Sequence, residues 1–182
     1  FRRVLFRSSG TITLLGNSTI SSNSSSPTFT GNVSTGTSIL YTNVLNGGTL
    51  TLQGAFSGNG GLGTSATHIG TLSLGTNATN TYTGSTILNS GTLSVQTASN
   101  LPSGPGGNMV INNNATLTLA IASATEAFDW QRDLLISGSG YGNSTGAIRN
   151  TAGANKFSGN TTLTGNTVLY IDGGSLEFAG PV

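Results

Sequence analysis

The residues best suited to chemistry lie close together, in a short charged stretch after residue 125. Glu126, Asp129 and Asp133 supply carboxylates, Arg132 a guanidinium and Trp130 an aromatic surface. Glycoside hydrolysis needs two carboxylates at a defined separation. Asp129 and Asp133 are an even number of residues apart, so a strand running through both would present them on one face. We favour the alternative interpretation, a solvated loop or capping coil in which Trp130 covers an edge of the core.

His68 is the only histidine, and no Asp, Glu, Cys or second His lies near it in the sequence. Metal and catalytic sites need partner groups, so we predict a structural or exposed role for it. The chain has no cysteine, which excludes disulfides and thiolate metal sites. We therefore predict no catalytic, cofactor-binding or metal-binding residues.

Charged residues make up only 6% of the 182 residues. Between Ser8 and Thr125 the chain has no Lys, Arg, Asp or Glu. This stretch cannot form a basic patch, so a nucleic acid partner is not expected. No apolar run approaches the roughly 20 residues of a membrane-spanning helix.

The first eight residues, from Phe1 to Ser8, match the in-frame translation of a common short-read sequencing adapter. We expect residues 1–8 not to be of biological origin and residues 9–182 to be one segment of a longer protein. Without Arg2, Arg3 and Arg7, three basic residues remain beside five acidic ones.

One motif dominates the chain and must position any functional site. It consists of an apolar residue, Asn or Asp, two small or polar residues, and then a strand of alternating apolar and polar residues. Its copies begin at Leu45, Leu88, Ile111 and Ile171, and the strand part alone recurs at Gly10 and Gly70. The strands that start at Gly48, Gly70, Gly91 and Ala115 are separated by 22, 21 and 24 residues. An aromatic residue followed by Thr or Ser and Gly also recurs, at Phe29, Phe56, Tyr82 and Phe157.

This repeat predicts an all-β fold, a right-handed single-stranded parallel β-helix (β-solenoid) with about 21–26 residues per coil. Each coil would hold three short strands and three turns, and about eight coils would stack at ~4.8 Å. Leu50 and Leu52 would point inward, and Thr49 and Thr51 outward. Asn and Gly would supply the positive φ of the turns.

The stretch from Tyr82 to Val95, Tyr-Thr-Gly-Ser-Thr-Ile-Leu-Asn-Ser-Gly-Thr-Leu-Ser-Val, resembles the passenger-associated transport repeat of bacterial autotransporters. The stretches 133–140, 146–150 and 155–159 are similar to a second coil pattern of the same passengers. The resemblance covers roughly residues 45–180. It implies a secreted, β-helical passenger at the bacterial cell surface, associated with the outer membrane through a translocator β-barrel expected downstream of this chain.

We therefore expect a non-enzymatic stalk or passenger segment: an extracellular monomer without cofactors that acts as a scaffold for adhesion or display. A host surface or a glycan is the expected ligand. One alternative is a carbohydrate-active β-helix enzyme of the polysaccharide lyase or hydrolase kind, with an acidic cleft at Glu126, Asp129 and Asp133. A further alternative is an ice-binding β-solenoid. It would use the outward pairs Thr49/Thr51, Thr71/Ser73, Thr92/Ser94 and Thr116/Thr118, although Thr also suits any exposed strand.

Overall fold

The computed structural model describes residues 10–23, 26–76, 79–122, 128–143 and 145–182. The suspected adapter residues 1–8, and Glu126 of the charged stretch, lie outside this described part. The strands in chain order are β1 (Ile12–Thr13), β2 (Ser18–Ser22), β3 (Thr28–Phe29), β4 (Val33–Ser34), β5 (Leu40–Val44), β6 (Thr49–Leu52), β7 (Phe56–Ser57), β8 (Leu62–Thr64), β9 (Thr71–Leu74), β10 (Thr86–Val95), β11 (Met109–Ala120), β12 (Asp129–Trp130), β13 (Leu134–Gly138), β14 (Ile148–Ala152), β15 (Ala154–Phe157), β16 (Thr161–Thr167), β17 (Leu169–Ile171) and β18 (Ser175–Phe178). Two 3₁₀ turns, Ala98–Asn100 and Tyr141–Asn143, complete the described elements.

The strands form a parallel β-solenoid of about seven turns, close to the eight predicted. Its wall has three faces. Face A contains β2, β5, β8, the first halves of β10 and β11, β13 and β16. Face B contains β3, β6, β9, the second halves of β10 and β11, β14 and β17. Face C contains β1, β4, β7, β12, β15 and β18.

All strand pairs among the described residues are parallel, and each residue pairs with the equivalent residue one coil later. Leu40 pairs with Leu62, and Thr86 with Met109. The coil between Leu117 and Ile148 is longer than the predicted 21–26 residues, because it carries an extra loop through the second 3₁₀ turn.

The core is a set of parallel apolar columns, as the alternation of Leu and Thr predicts. On face B, Leu50, Leu72, Leu93 and Leu117 are stacked in register and each is at most 2% exposed. Each coil therefore buries its apolar side chains against its two neighbours, and stability accumulates along the stack instead of around one centre.

Four copies of the repeated strand, at residues 48–52, 70–74, 91–95 and 115–119, stack on face B as predicted. Two other copies lie elsewhere. The strand after Gly10 and the strand at Ser175 both lie on face C, in β1 and β18. The same alternating pattern suits any face, so the motif does not by itself fix a position in the coil.

The turns use asparagine differently from the prediction. Among the described residues, Asn143 is the only non-glycine residue with positive φ; the others are glycines such as Gly91, at φ 76°. The asparagine side chains instead hydrogen-bond between coils: Asn112 Nδ2 donates to Asn89 Oδ1 at 2.9 Å, and Asn89 Nδ2 donates to the carbonyl of Thr64 at 2.8 Å. Amides at the corners thus satisfy backbone groups that the strand ladders leave unpaired.

Candidate functional site

The charged stretch spans a corner between faces C and A. Asp129 and Trp130 form β12 on face C, Arg132 lies in the turn, and Asp133 precedes β13 on face A. The expectation that one strand presents Asp129 and Asp133 on one face is therefore wrong: a turn separates them.

The two carboxylates of the charged stretch that the structure describes, Asp129 and Asp133, bind different partners. Asp129 is half-buried, and its Oδ1 accepts a hydrogen bond from Ser158 Oγ at 2.7 Å, while its Oδ2 lies 4.0 Å from Lys156 Nζ. Asp133 is exposed and accepts from the backbone N–H of Asn160 at 3.3 Å. Both carboxylates hold the following coil in place.

Trp130 lies inside the core and is not merely a cover for its edge. Its side chain is 0% exposed. The neighbouring Phe128 lies 6.5 Å from it between ring centroids, and Phe157 packs edge-on against Phe128 at 5.8 Å. Phe178 of the last coil continues the column, 5.5 Å from Phe157. This aromatic column fills the interior below face C.

Arg132 is a buried cation held by backbone carbonyls. Its guanidinium donates to the carbonyls of Tyr82 and Gly84, both at 3.1 Å, and its Nε donates to that of Gly104. The guanidinium carbon also lies 5.4 Å from the centre of the Trp130 ring. Burial lowers the pKa of Arg132, but it stays a cation, since an arginine pKa lies far above neutrality. Arg132 thus connects three coils.

A cleft of about 360 Å³ lies beside Arg132, lined also by Asn80, Thr81, Thr83 and residues 102–105. No carboxylate lines it. Tyr82, beneath it, is a neutral phenol because burial raises its pKa to about 12, and its hydroxyl hydrogen-bonds with Thr86 Oγ1 at 2.6 Å. The cleft is therefore not the acidic cleft that the enzyme alternative requires.

His68 fills the corner between faces A and B. It is fully buried, and its Nδ1 accepts the backbone N–H of Val44 at 3.1 Å. Its ring lies against Gly91 of the next coil, where an added Cβ would collide with Cδ2. Desolvation lowers the pKa of His68, so the neutral ring is the folded form. Of the structural or exposed role predicted for His68, its burial and contacts fit the structural one.

The outward threonine pairs of face B form a shorter array than the sequence predicts. Thr49, Thr71 and Thr92 lie in register and are partly exposed. Thr116, the next in line, is 1% exposed, because its Oγ1 accepts the backbone N–H of Tyr141 at 2.8 Å under the loop of the long coil. The row of first threonines therefore ends after three members, and the row of their partners is interrupted at the buried Ser73.

No group of three or more His, Cys, Asp or Glu side chains suited to a metal ion occurs among the described residues. In the same part of the chain, no helix is long and apolar enough to cross a membrane. Comparisons with protein-family models, curated proteins and solved structures found no match to this chain. The functional proposal therefore rests on the fold and on the contacts above.

Two functional features were not predicted. One is the set of hydrogen bonds by which Arg132 clamps neighbouring coils. No sequence pattern predicts them, because the acceptors are backbone carbonyls far away in sequence. The other is the network of asparagine side chains at the corners. The sequence did contain a pattern that indicates it, because Asn89 and Asn112 are separated by about one coil length.

Proposed function

We propose that this chain is a non-enzymatic stalk segment of an autotransporter-like passenger, which holds an adhesive or effector region away from the bacterial surface. The observation that carries the proposal is the continuous parallel sheet of faces A and B, which runs along a solenoid of about seven turns. Bending such a stack would break backbone hydrogen bonds and separate buried apolar columns at the same time.

The wall offers proteases few loose segments. Long strands such as Met109–Ala120 pass the corner between two faces without a loop. The corners themselves are tied by side chains: Asn100 Oδ1 accepts from the backbone N–H groups of Gln96 and Thr97, and its Nδ2 donates to the carbonyl of Gly75. A rigid, protease-resistant body is the property that a stalk at a cell surface needs.

The low charge and the absence of cysteine suit export in an unfolded state followed by folding outside the cell. A chain without disulfides needs no oxidant to fold, and coils can fold one after another because each contacts only its neighbours. The translocator barrel, the monomeric state and the extracellular location belong to this proposal, through the resemblance of the Tyr82–Val95 repeat.

The two alternatives have less support. A carbohydrate-active enzyme would need a convergent pair of carboxylates, whereas Asp129 and Asp133 lie on opposite sides of a turn and bind different groups. An ice-binding face would need a long flat array, whereas the threonine row is covered at Thr116.

A display experiment tests the proposal. Residues 10–182 are placed between a signal peptide and the translocator of a characterised autotransporter, with an epitope tag at the distal end, in a Gram-negative host. We expect the tag to be reached by antibody on intact cells, and added protease to remove the tag and leave the coils intact.

The matched control is Leu72→Asp, which places a charge in a fully buried column. It should be exported but degraded by the protease, because charge burial prevents stacking. The proposal is wrong if the wild-type chain is no more resistant than this variant, or if it stays inside cells that display the original passenger from the same cassette.

A further inference from the structure

Face A carries a row of apolar side chains that point outward. The row consists of equivalent positions in five successive coils, which are occupied by Tyr41, Gly63, Ile87, Val110 and Leu135. All of these except Gly63 carry an apolar side chain. All four are partly exposed, between fully buried inward-facing neighbours. Outward positions of a soluble sheet are normally polar, so a sustained apolar row needs its own explanation. We call it the apolar row.

The row lacks a side chain at Gly63, and the ring of Tyr41 covers this position. Gly63 has no side chain, and an added Cβ there would lie 3.2 Å from both Cδ1 and Cε1 of Tyr41. The Tyr41 ring thus lies over the glycine, along the axis of the stack. The ring thus covers the gap at Gly63, and the apolar row continues with Ile87 one coil after that glycine.

A second row, of amides, runs beside the first. Asn43, Asn89 and Asn112 lie two residues further along the same strands and are also partly exposed. Asn112 Nδ2 donates to Asn89 Oδ1 at 2.9 Å, and Asn43 Oδ1 accepts from Thr67 Oγ1 at 3.3 Å. These bonds fix the amides, yet each primary amide has two donors and two acceptor lone pairs, so capacity remains toward solvent.

We propose that the apolar row and the amide row together bind an uncharged, extended polysaccharide that lies along the stack of coils. A pyranose ring combines an apolar C–H face with polar hydroxyls at its edge. The apolar row would take the C–H faces, and the amide row the hydroxyls. The rows recur at the coil spacing of about 4.8 Å, with Gly63 interrupting the apolar row and Ser65 the amide row in the same coil, so a polymer of identical units could contact several coils in the same way.

Charge selects this partner over others. From Ser8 to Thr125, which includes three of the four side chains of the apolar row, the chain has no Lys, Arg, Asp or Glu, and its one histidine, His68, is buried. An acidic glycan or a nucleic acid would find no cation there, and a typical protein surface would leave its own charges unpaired. A neutral polymer leaves no charge unpaired when it binds to a neutral wall. This inference goes beyond the stalk function and does not depend on the autotransporter resemblance.

Isothermal titration calorimetry with defined hexasaccharides tests the proposal. The neutral probes are cellohexaose, chitohexaose, laminarihexaose and mannohexaose, and the anionic comparison is a hexagalacturonate. We expect at least one neutral probe to bind and the anionic probe not to bind. Tyr41→Ala should weaken binding about tenfold, the loss typical of an aromatic anchor. Val110→Thr, which keeps the side-chain shape and the strand preference, should weaken it by a smaller factor.

Tyr170→Ala is the matched control, because Tyr170 is an exposed tyrosine, 43% accessible, on face B. It should bind like the wild type, and circular dichroism should show that all three variants are folded. The proposal is overturned if no neutral probe binds at millimolar concentration, if the hexagalacturonate binds best, or if Tyr41→Ala and Tyr170→Ala behave alike. It is also overturned if sedimentation velocity shows that the apolar row joins two copies of the chain and that Tyr41→Ala separates them. Display of the stalk at the cell surface is unaffected by any of these outcomes.

Discussion

Arg132 ties three coils together, so its replacement by methionine is expected to destabilise the solenoid strongly. Methionine keeps much of the volume beside Trp130 but cannot donate a hydrogen bond. The carbonyls of Tyr82, Gly84 and Gly104 would then lose the donor that each has in the folded chain. Because these acceptors belong to the backbone, no compensating substitution removes them.

The size of the loss follows from which acceptors water can reach. Gly104 is exposed, so its carbonyl can be hydrated, whereas the hydrogen bond to Tyr82 is buried. A buried polar group left without a partner costs about 1–3 kcal/mol. The contact between the guanidinium and Trp130 adds about 0.5–2 kcal/mol. Part of this lost stability is recovered when the buried charge is removed, because burial disfavours the cation and lowers the pKa of Arg132. We expect a net loss of about 2–4 kcal/mol in the free energy of unfolding.

Urea denaturation followed by circular dichroism measures this loss, and limited proteolysis should show new cleavage between residues 101 and 107. Arg149→Met is the control: Arg149 is paired with Asp172 at the surface, with side chains 44% and 38% exposed, and its loss should cost at most about 1 kcal/mol. If both variants unfold at the same urea concentration, or if the 101–107 segment stays resistant in Arg132→Met, Arg132 is not a clamp.

Three further predictions concern the coils themselves. Gly60→Ala should destabilise the fold by about 1–3 kcal/mol, because its Cβ would collide with a carbonyl of the preceding coil, whereas Gly16→Ala, where nothing lies within 4 Å, should be nearly neutral in urea denaturation. Leu72→Ala should cost about 2–5 kcal/mol, and Leu163→Ala, at a side chain that is 57% exposed, should cost well under half of that in the same measurement. Burial lowers the pKa of His68 below its ordinary 6.5, so below pH 6.5 the unfolded chain binds the proton first and stability falls by up to about 1.4 kcal/mol per pH unit. His68→Gln should remove this slope in the pH range just below 6.5, and an unchanged slope in urea titrations would refute the assignment.

The fold could be predicted because its determinants are local and repeated. Leu50 and Thr51 alternate, and their equivalents return every 21–24 residues, so the sequence predicts both the strands and the stacking. The face on which a copy lies could not be predicted in every case. The strands at Gly10 and Ser175 have the same pattern but pair on face C, because the alternation of residues does not encode a position in the coil.

The candidate site was harder to predict because its contacts are not local. The even spacing of Asp129 and Asp133 says nothing about the turn between them, and the partners of Arg132 are backbone atoms 28 to 50 residues away. Sequence spacing identifies side chains that share a strand, whereas a clamp across coils depends on where the coils place their carbonyls.

The position of each residue in the coil limits where a ligand can bind. The inward positions are occupied by the Leu and aromatic columns, and the corners are closed by amides and by His68. The described charged side chains near the long coil are engaged with other parts of the same wall, as with Asp129 and Ser158. Outward positions are therefore the part of the solenoid that is free to vary without unstacking it. Among them, the row from Tyr41 to Leu135 departs over several coils from the polar surface that solubility favours. A stalk alone would not require that departure, so selection for contact with another molecule is the simplest physical reason for it.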